Sequence, residues 1–313
     1  MEQNNFTISS EDNIQLFVYS WLPDDMTSVK GVFQIVHGKA EHAGRYHDFA
    51  SYLTNHSFAV FAGDLRGHGK TAGNVENTGF IAKKNGWKLI LSDLLVINNH
   101  IQNAYPGKPL ILLGHSMGSF YSRAYTDLHP DTVSAVILSG TAWQPLWLLN
   151  FGLLVAKLQI IFKGHRNRSR LLEFLSTGKL NNRFKPVQTP FDWLCSNPET
   201  CKKYKSDPYC GYDCTSSLFT DLFHVLKYIQ KPSLYSKTQK NIPILIFSGA
   251  MDGVGDFSKG PIKFSNFLKE KNFSNVTLKL YPDGRHEMLN EKNKEEVYSD
   301  VVTWTDTNIS SHK

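Results

Sequence analysis

The segment PLILLGHSMGSFYSRAYTDL, Pro109–Leu128, passes from an apolar run through a glycine-flanked turn into a segment of helical character. Leu110, Ile111, Leu112 and Leu113 show no polar alternation, the signature of a strand buried on both faces of a parallel sheet. Gly114, Ser116 and Gly118 then form a G-x-S-x-G turn. A strand that turns directly into a helix must hold its turning residue at positive φ, and side chains at the two flanking positions would collide with the neighbouring strand and helix. Glycine at 114 and 118 removes both collisions. Ser116 Oγ is then expected to project at the carboxyl end of the sheet, beside the unpaired N–H groups of the new helix. Ser116 is therefore the candidate nucleophile.

Outward from this turn, the chain alternates strand and helix. Phe6–Ser20 reads as an antiparallel hairpin at a sheet edge, Gly31–His37 as the first central strand, and Tyr46–Leu53 as an amphipathic helix. Ala59–Ala62 is the next buried strand. Trp87–Ala104 carries Ile90, Leu94, Ile97 and Ile101 at helical spacing, and Val133–Leu138 is another strand. Such an order predicts an α/β fold with a mostly parallel central sheet, right-handed crossovers and helices on both faces. From 141 to 240 the alternation stops, then resumes with strands at Pro243–Ser248 and Val276–Tyr281, a helix near Pro261–Glu270 and a final helix over Lys294–Asn308. Residues 1–140 and 241–313 are thus expected to form one catalytic core, and 141–240 an inserted, mainly helical cap over the sheet's carboxyl edge.

A serine hydroxyl attacks only when a base takes its proton, and in this architecture acid and base follow the nucleophile from the ends of later strands. Asp252 lies just past PILIFS and His286 just past VTLKLY. Asp256 is the rival acid, further from its strand end; His312, in a polar tail, is the rival base; and His115, inside the turn, is expected to point away from Ser116. An oxyanion hole needs two backbone N–H groups. Met117, after the candidate nucleophile, supplies one, and Lys39, in the loop after the first central strand, is the expected second; its side chain need not enter the site.

Four stretches together sharpen this reading: His37-Gly38-Lys39-Ala40-Glu41-His42 with Arg45-Tyr46, Asp64-Leu65-Arg66-Gly67-His68-Gly69, the turn Gly114-His115-Ser116-Met117-Gly118 itself, and Tyr281-Pro282-Asp283-Gly284-Arg285-His286-Glu287. Together with Phe191-Asp192-Trp193-Leu194 and Asp207-Pro208-Tyr209-Cys210-Gly211, they resemble the monoacylglycerol lipase and lysophospholipase group of α/β-hydrolases along nearly the whole chain. The resemblance implies the α/β-hydrolase fold, the triad Ser116, Asp252 and His286, and oxyanion donors at Lys39 and Met117. It further implies a serine carboxylic-ester hydrolase acting on monoacyl lipids, with no cofactor and no metal. Lysine at 39 departs from the group's usual small or apolar residue and bears on the polarity of the pocket mouth. A small-ester esterase, an aminopeptidase anchoring its substrate amine on Glu173, Asp192 or Glu199, a slow-turnover ligand-binding protein and an acyltransferase are the alternatives.

Composition agrees with a globular chain of 313 residues, 41% hydrophobic and 20% charged. The net charge of +6 is mild and scattered apart from Lys163, Arg166, Arg168 and Arg170, which argues against a nucleic-acid partner. Cys195, Cys201, Cys210 and Cys214 follow a C-x5-C-x8-C-x3-C spacing that suits neither a zinc site nor a disulfide framework, so reduced thiols are expected. The first twenty residues lack a basic and an apolar signal region, which favours the cytoplasm. Trp143–Phe162 approaches membrane-spanning length, but Gln144, Pro145, Asn150, Gly152, Lys157 and Gln159 interrupt it. It reads as a cap helix over the site, with transient contact to a membrane surface as the sharper expectation. Oligomeric state is not legible in the sequence.

Overall fold

The structure is a computed structural model and describes residues 1–309. Its centre is an eight-stranded sheet of β1 (Glu2–Ser9), β2 (Gln15–Leu22), β3 (Gly31–Val36), β4 (Phe58–Gly63), β5 (Leu110–His115), β6 (Ala135–Ser139), β7 (Ile244–Gly249) and β8 (Val276–Tyr281). The spatial order is β1-β2-β4-β3-β5-β6-β7-β8. The hairpin β1–β2 supplies the antiparallel pairings, and β3 to β8 are parallel.

The central strands are buried on both faces because their side chains alternate between two apolar layers. Ile111 and Leu113 of β5 meet Phe49 and Leu53 of α1 (His47–Asn55) and Val297 and Tyr298 of α9 (Lys294–Ile309). Leu110 and Leu112 face the other layer, with Ile90, Leu94 and Ile97 of α2 (Gly86–Ala104), Tyr121 and Tyr125 of α3 (Met117–Leu128), and Phe264 of α8 (Lys259–Glu270). The first helical segment differs from expectation: a short 3-10 turn over Ala43–Tyr46 precedes α1.

β6 ends at Ser139 and β7 starts at Ile244, and the chain between them adds no strand to the sheet. It forms α4 (Leu146–Lys163), α5 (Arg170–Ser176), α6 (Pro198–Ser206) and α7 (Ser216–Tyr228). In α4 the buried residues are Leu149, Gly152, Leu153 and Ala156, one stripe at helical spacing. A side chain at Gly152 would strike the Phe223 ring of α7, so glycine there sets how closely the two helices approach. The remaining faces of α4 are largely open, and among the described residues α4 is the one helix long and apolar enough to cross a membrane.

Strand order places the site. β4 lies on one side of β3 and β5 on the other, so the chain reverses its direction of travel across the sheet between β3 and β5. In open α/β sheets such a switch point leaves a crevice at the carboxyl ends of the strands. The loops leaving β3 and β5 carry Lys39 and Ser116.

Candidate active site

Ser116 occupies the turn between β5 and α3 with φ 51° and ψ −121°, a strained conformation for a residue with a side chain. Its neighbours explain how the turn is tolerated. A Cβ at Gly118 would lie 2.1 Å from the Val36 carbonyl oxygen, and one at Gly114 would lie 2.4 Å from Ser122 Oγ. Ser116 N–H donates to the Ser139 carbonyl at 2.9 Å, tying the turn to the end of β6.

His286 stands at the centre of the polar groups. Its Nε2 is 2.8 Å from Ser116 Oγ and its Nδ1 is 2.9 Å from Asp252 Oδ2. Asp252 is fully buried and also accepts from Ser248 Oγ at 3.2 Å and from the Val254 N–H at 2.8 Å. The Nδ1 bond to a carboxylate orients the ring so that Nε2 faces the hydroxyl. Burial disfavours the charged imidazole, but the carboxylates around it, Asp252 first and then Glu287 and Glu41, together outweigh burial and raise the His286 pKa above its ordinary value.

The rivals are separated by position. Asp256 is exposed beside Lys259, and His312 lies outside the described residues. His115 donates to or accepts from Ser139 Oγ at 3.2 Å, and its ring lies 4.9 Å from that of His286. Burial pushes His115 down to about 4, so it is neutral near pH 7.

The backbone N–H groups of Lys39 and Met117 have no hydrogen-bond acceptor among the described residues. Met117 opens α3, where unpaired N–H groups are expected. The Lys39 loop is held from both sides: the Ala40 carbonyl accepts from Gly211 N–H at 2.9 Å and from Tyr204 OH at 2.7 Å. Beneath it, Arg45 joins Glu41 of this loop to Glu287, the residue after His286. Burial would raise Glu287, yet Arg45 holds it down to about 2, so the pair is charged. The Lys39 side chain, which its backbone role does not require in the site, reaches the cavity, where it forms an ion pair with Glu173 of α5 and lies 5.1 Å above the Phe219 ring.

These groups open into a cavity of about 590 Å³. Its floor is the sheet's carboxyl edge, and its roof is α4, α5, α7 and the loop over 190–194. Leu148, Leu149, Phe151, Leu222, Phe223 and Leu226 make much of the wall apolar. Trp193, not identified from sequence as a site residue, packs its indole 5.3 Å from the His286 ring. Its only sequence signal is an aromatic residue in a motif of the excursion; nothing local couples it to residue 286.

His42, Asp207 and Cys210 bring ligand-type atoms within 4.8 Å of one another. His42 Nε2 is already bonded to Asp207 Oδ2 at 2.9 Å, a link between the β3 loop and the excursion that accounts for the cluster. The four cysteines are free and buried, with Cys195 and Cys201 sulfurs 3.6 Å apart.

The chain is similar to known esterases and lipases. The chain is 28% identical over 287 residues to a monoacylglycerol lipase of Mycolicibacterium smegmatis, covering 91% of this chain and 90% of that protein. It is 27% identical over 310 residues to the monoglyceride lipase of Rattus norvegicus, covering 96% and 89%. The fold superposes with a TM-score of 0.87 and 27% identity on a thermostable carboxyl esterase from Bacillus coagulans solved in complex with glycerol, covering 99% of each chain. The sequence profile of the family described as serine aminopeptidase, S33, matches residues 27–293. The chain belongs to that family, and it is an α/β-hydrolase of the esterase and lipase kind.

Proposed function

We propose that this protein cleaves carboxylic esters of monoacyl lipids, monoacylglycerol or lysophospholipid, through an acyl-enzyme on Ser116. The observation that carries the reading is the hydrogen-bonded line Ser116–His286–Asp252 opening into a largely apolar cavity of lipid-accommodating size. In this mechanism His286 Nε2 takes the Ser116 proton as Oγ attacks the ester carbonyl carbon. Asp252 keeps Nδ1 protonated and stabilises the imidazolium. The oxyanion is received by the N–H groups of Lys39 and Met117, each worth about a hundred- to a thousandfold in rate. The proton on Nε2 passes to the leaving alkoxide, and water repeats the sequence on the acyl-enzyme. The named relatives that act on monoacylglycerol support the lipid ester as substrate.

The acids of the excursion weigh against an aminopeptidase. Glu173 is committed to Lys39 and to the Cys214 N–H at 3.0 Å. Asp192 accepts from the N–H groups of Gln188 and Thr189 and from the Thr189 hydroxyl. Glu199 is exposed and paired with Lys202. None of the three places an unpaired carboxylate in the cavity for a substrate ammonium. A panel of p-nitrophenyl esters of increasing acyl length, with monoacylglycerol, lysophospholipid and aminoacyl amides, tests the reading. Monoacyl esters are expected to turn over fastest; faster cleavage of the amides overturns it.

In this reading residues 141–240 act as a cap, and the open face of α4 and α5 meets a lipid surface. Trp147 and Phe162 are 71% and 80% exposed, Phe151, Ile161, Leu171 and Phe174 are also exposed, and the exposed basic residues Lys163, Arg166 and Arg170 lie at and beyond the end of α4 in the chain. A Trp147→Ser, Phe162→Ser double variant removes two side chains outside the cavity, each worth about 1.5–3 kcal/mol when buried. It should lose at least tenfold in sedimentation with lipid vesicles while keeping its rate on a soluble short-chain ester. Failure of the unaltered protein to sediment with either anionic or neutral vesicles sinks the surface contact.

A further inference from the structure

The excursion is fastened to the residues on both sides of His286. The Leu194 carbonyl accepts from the Glu287 N–H at 2.6 Å. The Arg285 guanidinium donates to the carbonyls of Asp192 and Cys195. Glu291 accepts from the Ser196 N–H at 2.9 Å and from the Arg285 N–H at 2.8 Å, and Trp193 N–H donates to Asn181 Oδ1 at 2.7 Å. This web holds the Trp193 indole with its centroid 5.3 Å from the imidazole centroid and the two planes 36° apart.

We propose that Trp193 is a positioning residue for His286, whose indole face stabilises the imidazolium that forms when Ser116 gives up its proton. The proposal rests on the Ser116–His286–Asp252 reading above and adds to it a residue supplied by the cap. An aromatic face attracts a cation within about 6 Å of its centroid, and the attraction is stronger where water is excluded. His286 is 2% exposed. The reactive form of the enzyme carries a neutral imidazole, so from that form the stabilisation is gained as positive charge develops, the condition for accelerating the chemical step. The other groups facing this ring are the carboxylates of Asp252, Glu287 and Glu41, the last two held by Arg45, and the neutral ring of His115. These remain in place when Trp193 is changed, so the indole's share can be isolated.

Neutral His286 is the active base, so kcat/KM falls as pH drops through its pKa. Removing the indole destabilises the imidazolium, lowers that pKa, and moves the acid limb to lower pH. Trp193→Leu is expected to lose about tenfold in plateau kcat on a p-nitrophenyl ester and to shift the acid limb down by about half to one pH unit, with Trp193→Phe in between. A Trp193→Leu rate loss with the acid limb unmoved overturns the proposal, because packing alone would do that. A second measurement avoids any folding defect. In the unaltered chain grown with tryptophan of increasing fluorination, which weakens the ring face at nearly constant size, the His286 NMR signal, assigned by its absence in His286→Ala, should titrate at stepwise lower pH. An unmoved His286 titration across the fluorinated series also overturns it. Hydrolysis that survives Ser116→Ala or His286→Ala strikes the triad reading itself, a result distinct from either Trp193 outcome.

Discussion

Ser116→Ala is expected to reduce kcat on any cleaved ester by on the order of a millionfold, leaving only the residual acceleration that oxyanion donors and binding provide. The size of the effect follows from geometry. Ser116 Oγ is the one hydroxyl at 2.8 Å from His286 Nε2, so with it removed no protein nucleophile replaces it and only unassisted water attack remains. Fold and cavity should survive, because the strained turn is set by Gly114, Gly118 and the bond from Ser116 N–H to Ser139, none of which needs the hydroxyl. Steady-state rates, with covalent labelling by a fluorophosphonate, measure it. Undiminished labelling and turnover in Ser116→Ala would end the acyl-enzyme mechanism.

Asp252→Asn is expected to cost about ten-thousandfold in kcat, while Asp256→Asn leaves the rate within about twofold. The Asp252 carboxylate accepts from Nδ1, and this fixes which nitrogen faces Ser116; an amide in its place can present an N–H and turn the tautomer around. The carboxylate is also the foremost of the groups that raise His286 against burial. Without it the His286 pKa falls, so the acid limb of kcat/KM moves to lower pH even as the plateau collapses. Kinetics of the two variants across pH decides the matter, and a rate loss in Asp256→Asn with Asp252→Asn intact would transfer the role to Asp256.

Much of this site is legible in the chain because its parts are local. The β5–α3 turn is read from Gly114 and Gly118, since positive φ at Ser116 and close approach to Val36 exclude larger residues within a few positions of the serine. Asp252 and His286 follow β7 and β8 at short distance, so a correct strand assignment brings them to the same edge of the sheet. The Lys39 side chain was harder. Its backbone position follows from the end of β3, but its partner, Glu173, lies 134 residues away on α5. Nothing in the local pattern couples the two.

By itself the sequence determined the parallel sheet, its edge hairpin, the turn at Ser116 and the strand ends where an acid and a base would emerge, because apolar runs, glycines and helical spacing act on near neighbours in the chain. Only the tertiary structure decided that Asp252 is buried against His286 while Asp256 faces solvent, that Asp192 and Glu173 have their carboxylates occupied, and that Trp193 lies on the His286 ring. Those outcomes depend on how a hundred-residue excursion without strands settles on the sheet edge. That settling is governed by packing and hydrogen bonds between residues far apart in sequence, for which the chain carries no local periodicity.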